Sequence, residues 1–368
     1  MKTMLKLKMC ALPALALGML ATQAQASAGY KRVEVAFVLD STGSMGDLIE
    51  GAKRKIWSIA GSIVDANPQA DISMALVTYR DRDDEYVVKT TPLSEDVQGL
   101  YGKLLKVEAD GGGDTPESVN EALDKAINSL QWTSGPDTRR IVFLVGDAPP
   151  HMDYNETKYP AILKEAAQKK IIVNAVEAGD AEDTMQVWKD IAQLGGGRYI
   201  PIPQDGGAVV IIETPYDAEI LHLQRELDGS VVPYGSQAQK AEITGKMGEK
   251  AAAAPSVALD SSSFYAKRSK KEVVTGAGDY VADAMSGGLA TSTMADKDLP
   301  DELKGKSVAE REAWTKAKVA ERGALQDKIA GLVAKRDAFV TGEKSKQPKA
   351  ARDSFDAVVE DTLKTQLN

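Results

Sequence analysis

Val33-Glu34-Val35-Ala36-Phe37-Val38-Leu39 is an apolar run that ends in Asp40-Ser41-Thr42-Gly43-Ser44 and passes directly into an amphipathic helix. Such a run reads as a buried strand, and the helix after it repeats Leu48, Ala52, Ile56, Ile59 and Ile63 at spacings of three and four. A strand followed by a helix in this way belongs to an α/β sheet, whose ligands gather beyond the carboxyl ends of the strands. The loop there offers one carboxylate and three hydroxyls. Oxygen donors of this kind suit a hard divalent cation better than zinc or copper. A helix N-cap would use the same residue types, so the loop needs company to carry a metal site.

Two further oxygen-bearing loops supply it. Gly111-Gly112-Gly113-Asp114-Thr115-Pro116-Glu117 precedes a helix predicted over Glu117 to Leu130, and Asp147 follows the apolar run Ile141 to Gly146. Ile72 to Tyr79 reads as another strand, Tyr86 to Lys89 as a short edge strand, and Ile171 to Val176 as a fifth. Gly195-Gly196-Gly197 ends a helix, and Arg198-Tyr199-Ile200 opens the last strand. The alternation gives an α/β class: a doubly wound, mostly parallel sheet followed by an α-helical C-terminal region.

The amino terminus has the form of an export signal. Lys2, Lys6 and Lys8 precede an apolar stretch from Ala11 to Leu20, and Ala24-Gln25-Ala26 offers small residues for cleavage. That stretch is too short to span a bilayer comfortably. Cleavage after Ala26 removes Cys10, the single cysteine, and leaves His151 and His222 as the only histidines. Disulfides, thiolate sites and multi-histidine zinc sites are thereby excluded. With the three lysines gone, 42 of the 45 Lys and Arg residues face 54 Asp and Glu, a formal charge of −12. Such a chain is a poor partner for nucleic acid or anionic lipid. The expected location is outside the cytoplasm, periplasmic or secreted, with no membrane span.

Beyond Ile202 the texture changes. Tyr216 to Leu227 suits a helix, and 231–235 a short strand or turn. The Ala-, Ser-, Gly- and Lys-rich stretch from Ala238 to Ser292 reads as loosely packed helix and linker. Ser307-Val308-Ala309-Glu310 is a capping box. Leu325, Ile329, Leu332, Arg336 and Phe339 then follow a short coiled-coil seam, and Phe355, Val358, Val359, Thr362 and Leu363 form a second apolar face. The two helices are expected to pair as a hairpin that docks separately from the metal face, on the main domain or on a partner, or to join copies of the chain into a homo-oligomer. On that reading a chain ending near Ser292 keeps its metal site.

Together the three loops resemble the metal-ion-dependent adhesion site of a von Willebrand factor type A domain, over roughly Val33 to Ile202. Gly146 to His151 and Tyr79-Arg80-Asp81 look like the bacterial branch of that family. The resemblance implies metal ligation by Asp40, Thr42, Ser44, Thr115 and Asp147, with threonine at 42 where serine is commoner. It implies Mg²⁺, with Mn²⁺ or Ca²⁺ as alternatives, and a protein partner whose carboxylate completes the coordination. The implied function is an exported, metal-dependent binding or scaffold module of the cell envelope without catalytic residues. The competing reading is a metal-dependent hydrolase or phosphatase, which lacks a second carboxylate cluster and an obvious general base. The expected division is a signal over 1–26, the type A domain over 27–212, an accessory helix and linker region over 213–298, and the helical hairpin over 299–368. Asp114 is expected to organise its loop, Asp81, Asp83 and Asp84 to form a solvated turn, and His151 to pack in its loop. Trp57 and Trp188 are assigned to the core, and the charges from Lys267 to Lys271 to a solvated face.

Overall fold

The computed structural model describes residues 29–113, 115–207, 211–287, 294–346 and 355–367. The export signal and Asp114 lie outside them. Six strands form one sheet: β1 (Arg32–Asp40), β2 (Asp71–Tyr79), β3 (Val88–Ser94), β4 (Thr138–Gly146), β5 (Ile171–Ala178) and β6 (Gly196–Ile202). Their order is β3-β2-β1-β4-β5-β6, parallel except for β3, which runs antiparallel at one edge. The edge strand starts later than Tyr86 and runs through Pro92, a residue tolerated there because an edge position need not donate to the ladder. Strand order reverses between β1 and β4, so a crevice opens at their carboxyl ends.

Residues on β1 and β4 are buried on both faces, which explains the apolar runs Val35–Leu39 and Ile141–Val145 at their centres. One face carries α1 (Gly46–Ala66) and α2 (Val97–Leu104). The other carries α3 (Val119–Asp124, extended by a π-turn over Lys125–Ser129), α4 (Tyr159–Gln168) and α5 (Glu182–Leu194). The later helices are α6 (Asp217–Asp228), α7 (Gln237–Ala252), α8 (Pro255–Lys267), α9 (Tyr280–Met285), α10 (Val308–Lys344) and α11 (Phe355–Leu367). No helix among the described residues is long and apolar enough to cross a membrane.

Three expectations for the second half need correction. The stretch from Ala238 onward is well packed: Phe264 and Tyr265 of α8 lie 5.3 and 5.6 Å from the Trp57 ring of α1. The stretch is poor in large apolar residues, but Val257, Phe264 and Tyr265 enter the main core while Leu259 and Val273 pack in a second cluster with α6 and α10.

The C-terminal helices do not make the expected hairpin. Ile329 and Val333 of α10 pack against α6 and α8, among Ile220, Leu227 and Leu259, while Phe339 is exposed. α11 instead lies on α1 beside the sheet, with Val359 and Leu363 fully buried. Both apolar faces are thus covered within one chain.

The Lys267–Lys271 charges are paired rather than merely solvated. Lys267 reaches Asp65 and Asp337 at 2.9 and 2.7 Å, buried Arg268 reaches Glu272 at 2.7 Å, and Lys270 reaches Asp71 at 2.9 Å.

Arg322 of α10 is fully buried. Its guanidinium grips Asp279 at 2.6 and 3.2 Å and donates from Nε to Ser230 Oγ at 2.9 Å. Asp279 also caps α9 through Val281 N–H. Arg322→Met strands that carboxylate in the interior, and the expected loss is about 3–5 kcal/mol. Urea denaturation measures it; a change below about 1 kcal/mol would mean that Asp279 finds water instead.

Candidate metal centre

β1 delivers Asp40 to the crevice with its side chain wholly buried. Oδ1 accepts from Thr42 N–H at 2.9 Å and Thr42 Oγ1 at 2.7 Å. The hydroxyls of Thr42 and Ser44 are 3.3 Å apart, on the turn Gly43–Met45 that leads into α1. The other carboxylate oxygen, Oδ2, is buried without a hydrogen-bond partner among the described residues. Burial pushes the Asp40 carboxyl up to about 7, opposed by the Thr42 donors and reinforced by the Asp147 charge. A buried acid left half unsatisfied asks for a cation or a proton.

β4 runs beside β1 and brings Asp147 next to this group. Gly146 is required there: a Cβ would collide with the Tyr79 hydroxyl and lie 3.2 Å from Asp40 Oδ2. Asp147 is half-buried, and its Oδ2 accepts from Gln204 Nε2 at 2.7 Å. Tyr79 itself is held well above the ordinary phenol range, first by burial and then by Asp40, so it remains a neutral neighbour of the two acids.

The second loop is laced to the other two. Gly43 N–H donates to Gly111 O at 3.1 Å, and Asp110 N–H to Ser41 O at 3.1 Å. Glu117 N–H donates to Pro149 O at 2.9 Å, and His151 N–H returns to Glu117 O at 3.1 Å. Thr115 sits between these anchors, exposed to solvent. No hydrogen bond among the described residues joins it to Asp40, Thr42, Ser44 or Asp147. The structure therefore gathers those four and leaves Thr115 on an adjoining open loop.

Several residues at the crevice escaped the sequence reading. Glu117 is buried, its Oε2 has no partner among the described residues, and a Cβ on Gly112 would fall 3.2 Å from its Oε1 and 3.1 Å from Thr42 Cβ. Burial, followed by Asp40, Asp81, Asp84 and Asp147, pushes Glu117 up to about 9. The sequence predicts a helix start at Glu117, but α3 begins only at Val119. Pro116 points the other way, because proline is favoured in the first turn of a helix.

The acidic turn after β2 is also more than a solvated one. Asp81 is buried and accepts from Ser118 Oγ and Tyr154 OH, both at 2.8 Å. Asp84 accepts from Gly112 N–H at 3.0 Å, and a Cβ on Gly111, whose φ is +76°, would clash with it. Only Asp83 is freely exposed in that trio. Buried Arg80 donates to Ser41 O at 3.1 Å and Glu108 O at 2.9 Å, tying the first and second loops together. His151 does pack in its loop, stacked on Tyr154 at 3.8 Å with Nδ1 2.9 Å from Asp153.

Among the described residues, no group of three or more His, Cys, Asp and Glu side chains is placed to hold a metal ion. A cation at the crevice would meet a mixed donor set, the Asp40 and Asp147 carboxylates and the Thr42 and Ser44 hydroxyls. All are hard oxygens, consistent with Mg²⁺ or a similar ion.

Residues 34–204 match the family model described as von Willebrand factor A domain. Alpha-protein kinase vwkA of Dictyostelium discoideum is 30% identical over 120 residues, 32% of this chain and 19% of that protein. Von Willebrand factor A domain-containing protein 7 of Rattus norvegicus is 36% identical over 134 residues, 36% of this chain and 14% of that one. The chain thus spans less than a fifth of the length of these curated relatives. Among solved structures, the conserved hypothetical protein BatB of Bacteroides thetaiotaomicron aligns over 46% of this chain and 90% of its own, at 19% identity and a TM-score of 0.36.

Proposed function

We propose that this chain is an exported, divalent-metal-dependent protein-binding module of the cell envelope, acting as an adhesion or scaffold element and not as an enzyme. Domains of the matched type are generally protein-interaction modules. The observation that supports the reading is Asp40 Oδ2, buried and unpartnered beside Asp147 at the point where strand order reverses. In this reading Asp40, Thr42, Ser44, Thr115 and Asp147 hold Mg²⁺, with Mn²⁺ or Ca²⁺ as alternatives. Bound there, the ion supplies an electrophilic position for a carboxylate of a partner protein.

The chain's own residues prepare that position. Thr42 fixes one oxygen of Asp40 and leaves the other free. Arg80 and the Gly111–Gly43 bond hold the loops at a common level. N–H groups at the start of α1 favour an anion arriving next to Ser44. His151 is stacked on Tyr154, and its Nε2 is buried 3.4 Å from Asp81 instead of being open to a substrate, which weighs against the hydrolase alternative.

Thermal melting tests the metal. A ligand bound to the folded state alone stabilises it by about 2.7 kcal/mol at a hundred times its dissociation constant, so Mg²⁺ should raise the melting point by several degrees over chelator. The gain should depend on pH. Asp40 has a raised carboxyl, so its contribution to the metal-free fold is complete below about 3.8 and is lost as pH rises through about 7. Mg²⁺ needs the ionised form. The difference between Mg²⁺ and chelator should therefore widen from pH 5 to pH 8; a difference that is flat or shrinks over that range contradicts the assignment of Asp40.

A further inference from the structure

Asp147 is held from a fourth loop. Gln204, two residues past the end of β6, donates Nε2–H to Asp147 Oδ2 at 2.7 Å, while the Asp147 carbonyl accepts from Thr184 Oγ1 at 3.1 Å. Gly179 makes the seat for the carboxamide. Its φ is +92°, and a Cβ there would lie 2.5 Å from Gln204 Oε1. The rest of that loop is fixed as well. Gly206 N–H donates to Pro203 O at 2.8 Å, Gly207 N–H to Asp205 Oδ1 at 2.9 Å, and Gly206 O accepts from Phe355 N–H at 2.9 Å. The turn therefore fixes the backbone from which the exposed Gln204 side chain reaches Asp147.

The chemistry of the donor matters. A carboxylate has two oxygens, and a donor on Oδ2 leaves Oδ1 for a cation or for water held by one. Lysine or arginine in that place would neutralise Asp147 and compete with a cation outright. A carboxamide adds no charge and donates a single directed hydrogen bond. Hydrogen bonds to the outer oxygen of a ligating carboxylate fix its aim, and losing one typically costs about 10–100-fold in metal affinity.

We propose that Gln204 is a positioning residue of the metal centre, aiming the Asp147 carboxylate at the cation and thereby setting the affinity of the site. The inference rests on Asp147 being a ligand. Calorimetric titration of Mg²⁺ into the full chain tests it, with wild type, Gln204→Met and Gln204→Ala side by side. Methionine keeps the length of the side chain but lacks the N–H, so it separates the hydrogen bond from packing.

Both variants should bind Mg²⁺ about tenfold more weakly, with the melting point in chelator unchanged. The paramagnetic resonance line shape of bound Mn²⁺ should change in both, because a reaimed carboxylate alters the symmetry around the ion. Wild-type affinity in Gln204→Met overturns the inference, as does tighter binding, which would make Gln204 a competitor of the ion. Loss confined to Gln204→Ala also overturns it, since packing alone would then account for the effect. Absence of binding in the wild type is a different failure: it removes the metal reading, and this inference with it.

Discussion

A chain ending at Lys344 should lose its cooperative fold. That truncation removes α11, whose Phe355, Val359, Leu363 and Leu367 are each at most 6% exposed and lie on α1 within the same core as Phe37 and Phe143 of the sheet. Burying one such side chain contributes about 1.5–3 kcal/mol, so four of them rival the whole net stability of about 5–15 kcal/mol expected of a domain. The loss also opens an apolar trough along α1, which invites aggregation. Circular dichroism melting reads the outcome, and Leu363→Ala offers a graded version with an expected cost of about 2–5 kcal/mol. A truncated chain that melts cooperatively near the wild-type temperature would restore the separate, dispensable tail expected from the sequence.

Asp40→Asn should change stability and binding in opposite directions. At pH 8 the wild-type carboxylate is ionised, buried and half unsatisfied, and its rise to about 7 corresponds to a penalty of at most about 4 kcal/mol. Asparagine keeps an acceptor for the two Thr42 donors and removes the charge, but its amide nitrogen enters the pocket of Oδ2 with no partner in sight, which costs about 1–3 kcal/mol. The net expectation in chelator is a gain of about 1–2 kcal/mol at pH 8, fading towards pH 4, where the wild-type acid is already neutral. Mg²⁺ should then have no effect on the variant. Stability exchanged for binding in this way marks a functional residue. A variant destabilised at pH 8 in chelator would instead make Asp40 a structural acid.

The sheet was legible because its signals are local and strong. The apolar runs of β1 and β4 lead into Asp40 and Asp147, and their parallel pairing brings the two acids to the same end of the sheet. Thr42 and Ser44 follow from the same loop. What the sequence hid depends on contacts between distant segments. The partner of the α11 face is settled by which groove lies open in the folded chain, and the groove beside α1 is assembled from residues some 300 positions earlier. Glu117 was hidden by a helix start read two residues too soon. Asp81 looked like a surface acid until Ser118 and Tyr154 closed over it. Arg322 carried no periodic signal at all, because a buried charge amid a polar helix is marked only by its partner, Asp279, 43 residues away.

The most direct test of the metal centre is crystallographic. Crystals of the full chain grown with saturating Mn²⁺ should show one strong anomalous peak within bonding distance of Thr42 Oγ1 and Ser44 Oγ, between Asp40 and Asp147. Its separation from Thr115 Oγ1 would show whether the second loop closes onto the ion. No peak at that crevice under saturating Mn²⁺, or a peak held by other residues, would contradict the account.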